Sequence, residues 1–281
     1  FLPVAAVYGP NAGGKSNLLE SLDYVRSAVA RPIRLLSASA DAAEGDRPLI
    51  PRCSAFKFDD VSAAEPTEFE LYYRAGEHEY RYALSVHADE IVSEGLWRRK
   101  LGASRTAMLF EREDTKVELG PTLRKLVTAA RFNPSLPYLS FLCINFDAPV
   151  VQEAASWFLD AVFLNYNSSY LERMLEQMLD EGDSREVTRF LRAVDVRIDG
   201  FRVERAPEWR GRRVFVRHEV GGKAYELRLS EESAGTQKLM GLAAYLMAAL
   251  ECGGTVVVDE LDAKLHPKLL RYVILLFKDP E

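Results

Sequence analysis

"VAAVYGPNAGGKSNLLESL", residues 4–22, is the stretch that decides the fold. Its apolar start, residues 4–8, predicts a short buried strand. Residues 15–30 have the apolar spacing of a helix, which Arg31 and Pro32 should end. Between them, residues 9–16 fit the pattern G-x-x-x-x-G-K-[ST]. The order of strand, glycine-rich loop and helix therefore predicts a loop that binds phosphate.

The chemistry of phosphate binding explains the residue types in this loop. Glycines let backbone N–H groups turn inward onto a phosphate, and the N-terminal end of the following helix adds positive potential. Lys15 can reach the β- and γ-phosphates of ATP, and the Ser16 hydroxyl can ligate Mg²⁺. The residues expected to hold the nucleotide in this stretch are Gly9, Pro10, Asn11, Ala12, Gly13, Gly14, Lys15, Ser16 and Asn17. The alternative is an ordinary glycine turn before a helix. The loop alone also does not separate kinases, GTPases, AAA+ motors and ABC-type ATPases.

Composition narrows the class of protein. The 281 residues carry a formal charge of −6, which excludes a globally basic nucleic-acid binder but not a local basic patch. The three cysteines form no C-x-x-C pair, a pattern that fits a reducing cytosol better than a disulfide framework or a zinc site. The four histidines show no metal-ligand spacing. The apolar run at residues 239–250 is shorter than the roughly 20 residues that span a bilayer. We therefore expect a cytoplasmic protein without a membrane partner.

Periodicity divides the chain into three predicted parts. Residues 1–120 form an N-terminal ATPase lobe with the loop and an antiparallel meander, residues 121–196 a helical subdomain, and residues 197–281 a C-terminal ATPase lobe. After the meander, the predicted helices are residues 123–131, 150–161, 170–181, 184–194, 235–250 and 267–277. The predicted strands of the last part are residues 198–205, 213–220, 224–229 and 255–259.

The second chemical signal is an acidic pair after an apolar strand. Residues 255–258 are continuously β-branched and precede Asp259 and Glu260, as in a parallel strand covered on both faces. Asp259 would hold Mg²⁺ through water, and Glu260 would polarise the attacking water. Two solvated acids at the end of a strand are the alternative, which the phosphate loop in the same chain disfavours.

A third signal opens the helix that precedes this strand. Residues 232–238 read ESAGTQK, in which Ser233 could simply cap the helix. The order of phosphate loop, Ser-x-Gly helix, apolar strand and Asp-Glu resembles the ABC-ATPase head of the SMC/RecF/OLD kind. In that resemblance Ser233, Gly235 and Thr236 lie in the signature motif, Asp259-Glu260 is Walker B, and residues 261–266 form the D-loop. The resemblance implies an α/β P-loop NTPase fold, the ABC-ATPase head, with an antiparallel β lobe and a helical insertion.

The resemblance also implies how the protein works. In such heads the signature helix of one copy presents its Ser and Gly to the γ-phosphate held by another copy. It therefore implies a homodimer or higher homo-oligomer that sandwiches ATP and Mg²⁺ between heads.

Four stretches resemble a narrower group: YGPNAGGKSNLLESL, SAFKFDD followed by EFELYY, ESAGTQKLMGLAAYL and VVVDELDAKLHPKLLRYVI. These are similar to prokaryotic AAA/ABC ATP-binding proteins of anti-phage and abortive-infection operons. That similarity implies a partner effector, a nuclease or toxin, controlled by association of the heads.

The sequence departs from the family pattern in three places. The glutamine expected after the first lobe is missing; Asn145 is the best candidate for its nucleotide-binding role, with Gln152 as the fallback. The position usually held by the D-loop aspartate falls near His266. No switch histidine follows the Walker B helix, and we expect it, together with further strands at both ends, to lie outside residues 1–281.

Two rival functions stay open. One is a DNA repair or genome-maintenance ATPase whose heads clamp DNA. The candidate surface for contact with DNA or RNA is a predicted hairpin carrying Trp209 and five arginines, for which a solvated hairpin face is the alternative that the overall acidity favours. These arginines are Arg205, Arg210, Arg212, Arg213 and Arg217. The other is a scaffold in which ATP only holds an oligomer together. A metabolite kinase and an AAA+ ring motor are disfavoured because neither explains the Ser-x-Gly helix.

Overall fold

The computed structural model describes residues 3–37, 49–56, 59–88, 90–128, 131–165, 175, 179, 184–193, 198–205, 212–263 and 265–278. The chain forms two compact units: Gly14–Ala161, here the meander unit, and Phe1–Gly13 with Val162–Glu281, here the terminal unit. The boundary between them falls inside the glycine-rich loop. It does not coincide with the divisions at residues 120 and 196 that the sequence suggested, and the three-part division stays a prediction.

The meander unit begins with two helices and continues into the sheet that the period-two pattern predicts. Its helices are α1 (Lys15–Ser37) and α2 (Asp60–Ala64). Its strands are β1 (Thr67–Ala75), β2 (His78–His87), β3 (Glu90–Lys100), β4 (Ala107–Glu113) and β5 (Lys116–Leu119). They pair antiparallel in chain order, with Tyr73 opposite Tyr80. The antiparallel lobe is therefore confirmed, with β5 as an additional strand.

Helix α1 continues through Pro32 instead of ending before it. An interior proline costs a helix about 3 kcal/mol because it removes a hydrogen bond and crowds the preceding turn. Burial offsets this cost, because Val25, Val29 and Ile33 lie on one face and are each at most 7% exposed. Arg34 also donates a hydrogen bond from Nη2 to the carbonyl oxygen of Leu159 at 2.5 Å.

The segment after the meander contains two described helices, α3 (Tyr138–Asn145) and α4 (Pro149–Asp160). Helix α4 confirms the prediction at residues 150–161, whereas α3 was not predicted. The helix predicted at residues 123–131 is wrong over its first six residues, 123–128, where the structure describes only a 3₁₀ turn at Leu123–Lys125. That turn already buries Leu123 and Val127, so the apolar spacing did not require a longer helix. Most of the helix predicted at residues 170–181 lies outside the described residues.

A buried carboxylate joins α3 to the meander. Glu94 of β3 is 3% exposed and accepts hydrogen bonds from the backbone N–H groups of Tyr138 (2.5 Å) and Leu139 (3.0 Å) and from the Tyr82 hydroxyl (3.0 Å). Burial raises the pKa of Glu94, opposed by these donors and by the nearby Arg112. Arg112 in turn donates to the carbonyl oxygen of Leu136, 2.7 Å away, in the loop before α3.

The terminal unit contains β6 (Val162–Asn165), α5 (Ser184–Ala193), β7 (Gly200–Arg205), β8 (Arg212–Val220), β9 (Lys223–Arg228), α6 (Ala234–Cys252), β10 (Val256–Asp259) and α7 (Pro267–Leu276). Strands β7, β8 and β9 form an antiparallel sheet, and β10 pairs parallel to β6, with Asp259 opposite Asn165. Leu191, Val216 and Leu239 lie in one apolar core with residues of α7. The elements predicted at residues 184–194 and after residue 197 are confirmed, with shifted ends.

Two expectations for the terminal unit are wrong in detail. Residues 4–8 form no strand, and Val7 and Tyr8 are 51% and 81% exposed rather than buried. Strand β10 is half-buried rather than covered on both faces. Both differences reflect missing strand pairing. Within the described residues β10 has a single hydrogen-bonded neighbour, β6, and residues 4–8 do not pair with β10. An apolar run predicts a strand, but burial also needs neighbouring strands.

Among the described residues, none of the helices combines the length and the apolarity required to cross a bilayer. A cytoplasmic location stays a prediction.

Candidate active site

The backbone of the glycine-rich loop adopts a conformation that depends on small residues at specific positions. The Gly13 N–H donates a hydrogen bond to the carbonyl oxygen of Pro10 at 3.1 Å, which closes a turn. A Cβ atom at Gly13 would stand 3.0 Å from that oxygen, so a larger residue would strain the turn. Ala12 and Gly14 have positive φ values of 60° and 80°, left-handed conformations of the kind found in anion-binding loops. The local backbone therefore fits the phosphate-binding role predicted for it.

The predicted nucleotide contacts follow directly at the start of α1. Lys15 is the first helical residue and is half-buried, while Ser16 and Asn17 are exposed. The first hydrogen bond at this end of the helix runs from the Leu18 N–H to the Gly14 carbonyl oxygen at 3.0 Å. The N–H groups before Leu18 thus precede the helical ladder and belong to the positive end of the helix.

The predicted Walker B acids lie where β10 ends. Asp259 is its last residue and half-buried, and Glu260 is exposed directly after it. Glu260 has a positive φ of 50°, an uncommon conformation for a residue with a side chain. Its N–H donates to the Asp259 carboxylate at 3.0 Å, which supports this turn. The two predicted Mg²⁺ ligands, Ser16 and Asp259, each offer an oxygen atom of the type that Mg²⁺ prefers, and they lie in different units. Their role in metal binding stays a prediction.

A lysine that the sequence did not single out holds the turn after β10. Lys238 of α6 is 3% exposed, and its Nζ donates to the carbonyl oxygens of Glu260 (2.6 Å), Leu261 (3.1 Å) and Ala263 (2.8 Å). These carbonyls use all three ammonium donors, which explains how a lysine is tolerated in the interior. Lys238 therefore ties α6, the predicted signature helix, to the backbone of the proposed catalytic glutamate. The available signal was a single cation among the apolar residues of α6.

Replacing Lys238 by methionine is expected to lower the free energy of unfolding by about 2 kcal/mol, because the side-chain volume is kept and the charged donor is lost. ATP turnover should also fall, since the turn that carries Glu260 loses its support. Urea denaturation and a phosphate-release assay measure the two effects. Lys223→Met at an exposed position of β9 is the matched control, and equal stability of the two variants would contradict the role of Lys238.

The predicted signature residues form the cap of α6. The Ser233 hydroxyl accepts a hydrogen bond from the Thr236 N–H at 3.1 Å and lies 2.8 Å from the Thr236 hydroxyl. Ser233 is exposed, and Gly235 and Thr236 are half-buried. The capping interpretation is thus correct, and the same cap leaves the positive end of a 19-residue helix open to solvent.

The predicted D-loop ends at a second helix cap. His266, near which the sequence comparison predicted the position of the D-loop aspartate, accepts a hydrogen bond at Nδ1 from the Lys268 N–H at 3.2 Å. Its ring therefore caps α7.

Asn145 and Gln152 lie in the meander unit. Asn145 ends α3, and its Nδ2 donates to the Phe141 carbonyl oxygen of the same helix at 2.8 Å. Gln152 of α4 donates from Nε2 to the Cys143 carbonyl oxygen at 3.4 Å and accepts from the Cys143 thiol at 3.2 Å. Both side chains are exposed, and each is held by a neighbour in its own unit. Their nucleotide-binding role stays a prediction.

Comparison with known proteins agrees with the motifs. No curated protein matches the chain. A family model described as "AAA domain, putative AbiEii toxin, Type IV TA system" matches residues 4–281. The match covers the glycine-rich loop, the meander and the acidic pair, and so extends far beyond any single motif. The chain therefore belongs to this family of AAA-domain P-loop ATPases.

Proposed function

We propose that the protein binds and slowly hydrolyses ATP as an ABC-type ATPase, and that ATP-dependent association of two heads controls a partner effector. The observation that carries the proposal is the N-terminal end of α6. This exposed, serine-capped helix end has the chemistry to receive a phosphate from outside the chain, while Lys238 of the same helix holds the turn of Glu260. Occupation of the helix end by the γ-phosphate of a second copy would thus act on the catalytic turn.

The roles of the residues follow from their chemistry. The loop at residues 9–14 would surround the phosphates with N–H groups, and Lys15 would place a positive charge on the β- and γ-phosphates. Ser16 and Asp259 would hold Mg²⁺, which supplies charge neutralisation when bound. Glu260, exposed after β10, would orient and deprotonate the attacking water.

The nature of the effector rests on the family. Its description names the AbiEii toxin and a type IV toxin–antitoxin system, which supports a link to a toxin system. A nuclease as the effector and a role in anti-phage defence rest only on the resemblance of the four sequence stretches. In this proposal the heads release or activate the effector when their association changes.

The test measures the mass of the protein in solution with and without ATP and Mg²⁺. The wild type should become a dimer or larger oligomer with ATP, whereas Ser233→Arg should bind ATP and stay monomeric, because the bulky cation blocks the open end of α6. Ser104→Arg in the exposed turn between β3 and β4 is the matched control and should associate normally.

Mixing two variants tests whether sites are completed between copies. Lys15→Ala and Ser233→Arg should each be inactive alone, and their mixture should recover ATP turnover because one intact site forms in a mixed dimer. ATP-dependent association of Ser233→Arg at the wild-type level would refute the sandwich.

A further inference from the structure

A basic cavity lies in the terminal unit, in residues separate from the phosphate loop and the Walker B pair. It has a volume of about 340 Å³, within the size range of small-molecule sites, and lies between α5 and the β7–β8 edge of the sheet. Three of its arginines come from α5: Arg185, Arg189 and Arg192. Their spacing of four and three residues places them on one face of the helix.

A fourth arginine reaches the cavity from β8 across a glycine. Arg217 pairs with Gly200 of the edge strand β7. A Cβ atom at Gly200 would stand 3.4 Å from Nη2 of Arg217, so the guanidinium lies directly over this position. Because β7 has no side chain there, Arg217 can extend over the strand toward α5.

The lining of the cavity carries more positive than negative charge, and outside the lining Glu226 of β9 lies opposite Arg217 in the sheet. Asp199 is the single acid among the described residues that line it, against four arginines, which leaves a formal charge of four minus one, or +3. Asp199 accepts a hydrogen bond from Arg192, whose Nε also donates to the Ile198 carbonyl oxygen at 2.8 Å. The carboxylate of Asp199 is therefore already hydrogen-bonded to one of the four guanidinium groups of the cavity.

Two of the α5 arginines occupy positions where the helix itself disfavours positive charge. Like charges four residues apart on a helix destabilise it, as for Arg185 and Arg189. Arg185 also lies in the first turn of α5, where the helix dipole disfavours a cation. An anion bound in the cavity would offset both effects.

The geometry points to a second phosphate-binding site in this cavity, for a nucleotide that is either free or part of a nucleic-acid strand. Planar guanidinium groups bind phosphate oxygens in pairs, and convergent arginines are suited to this chemistry. Half-buried Phe201 at the cavity adds an aromatic surface against which a base can stack. The cavity takes up Arg217 of the hairpin that the sequence marked as a nucleic-acid surface, whereas Trp209 and Arg210 lie outside the described residues.

The test uses the intact protein carrying Lys15→Ala, which removes the main competing phosphate contact. Two probes are titrated by fluorescence anisotropy, a short labelled single-stranded oligonucleotide and a fluorescent ATP analogue. At least one should bind, and Arg189→Glu with Arg217→Glu should weaken it by at least about tenfold. The probe that binds identifies the source of the phosphate.

The control reverses two exposed lysines of the meander unit, Lys116→Glu with Lys125→Glu, and so gives the same change in net charge. It should shift binding by less than about twofold, since these side chains are not part of the cavity. If the glutamate variant is misfolded by circular dichroism, Arg189→Gln with Arg217→Gln replaces it and should still weaken binding. The inference is overturned if neither probe binds, or if the cavity variant and the control weaken binding equally.

Discussion

Changing Lys15 to alanine is expected to weaken ATP binding by roughly a thousandfold. Hydrogen bonds to charged groups contribute about 1.5–3 kcal/mol each, and this lysine can contact both the β- and γ-phosphates, so about 4 kcal/mol is lost. The first residue of α1 is half-buried, and the backbone turn at Gly13 does not depend on its side chain. The variant should therefore fold normally and lose affinity alone.

Isothermal titration with ATP and Mg²⁺ measures this loss, with circular dichroism as the folding check. Lys116→Ala, an exposed lysine in β5, is the matched control and should bind ATP as the wild type does. The same Lys15→Ala variant should remain monomeric with ATP. If it bound ATP and assembled like the wild type, the assignment of the phosphate loop would be wrong.

Glu260→Gln is expected to lower ATP turnover by roughly 10³-fold while ATP binding is kept. General-base catalysis contributes typically about 10²–10⁴-fold, and glutamine has the shape of glutamate without its basicity. The contacts that hold this residue involve its backbone: its N–H bonds to Asp259 and its carbonyl oxygen accepts from Lys238. The substitution therefore leaves the turn intact and removes the base.

The measurement combines single-turnover phosphate release with the ATP-dependent mass in solution, where the variant should accumulate as the associated form. Glu251→Gln near the end of α6 is an exposed control and should turn over ATP normally. Equal turnover by wild type and Glu260→Gln would remove this glutamate from its role. No turnover by either, with ATP still bound, would favour the scaffold in which ATP is a structural element.

The sequence pattern predicted correctly those helices and strands whose burial depends on residues close to them in the chain. The meander follows from alternation, because one face of each hairpin is buried and the register of β1 against β2 places Tyr73 beside Tyr80. Helix α3 was not predicted because its sequence, YLSFLCIN, is apolar on all sides and therefore shows no helical periodicity. The extension of α1 past Pro32 was not predicted because Ile33 is buried by residues that are distant from it in the chain.

The candidate site shows the same division between local and distant information. The roles of Gly9–Ser16 and Asp259-Glu260 could be proposed from the sequence, because a few adjacent residues determine the backbone conformation of the loop and the charge of the acidic pair. The role of Lys238 could not be proposed: the sequence shows a single cation among the apolar residues of α6, but its three acceptors are backbone oxygens, which residue types do not reveal. The basic cavity likewise depends on α5 packing beside β7, which brings together arginines from two separate segments.

The Glu94 carboxylate has a consequence for the order in which the meander unit folds. Strands β1 to β5 pair with their neighbours in chain order, so their contacts are local and should form early. The N–H groups of Tyr138 and Leu139 find their acceptor 44 and 45 residues back, on β3, which exists as an acceptor site only once the sheet is assembled. Helix α3 should therefore dock late, and a chain emerging from the ribosome can complete its sheet before α3 has left the exit tunnel.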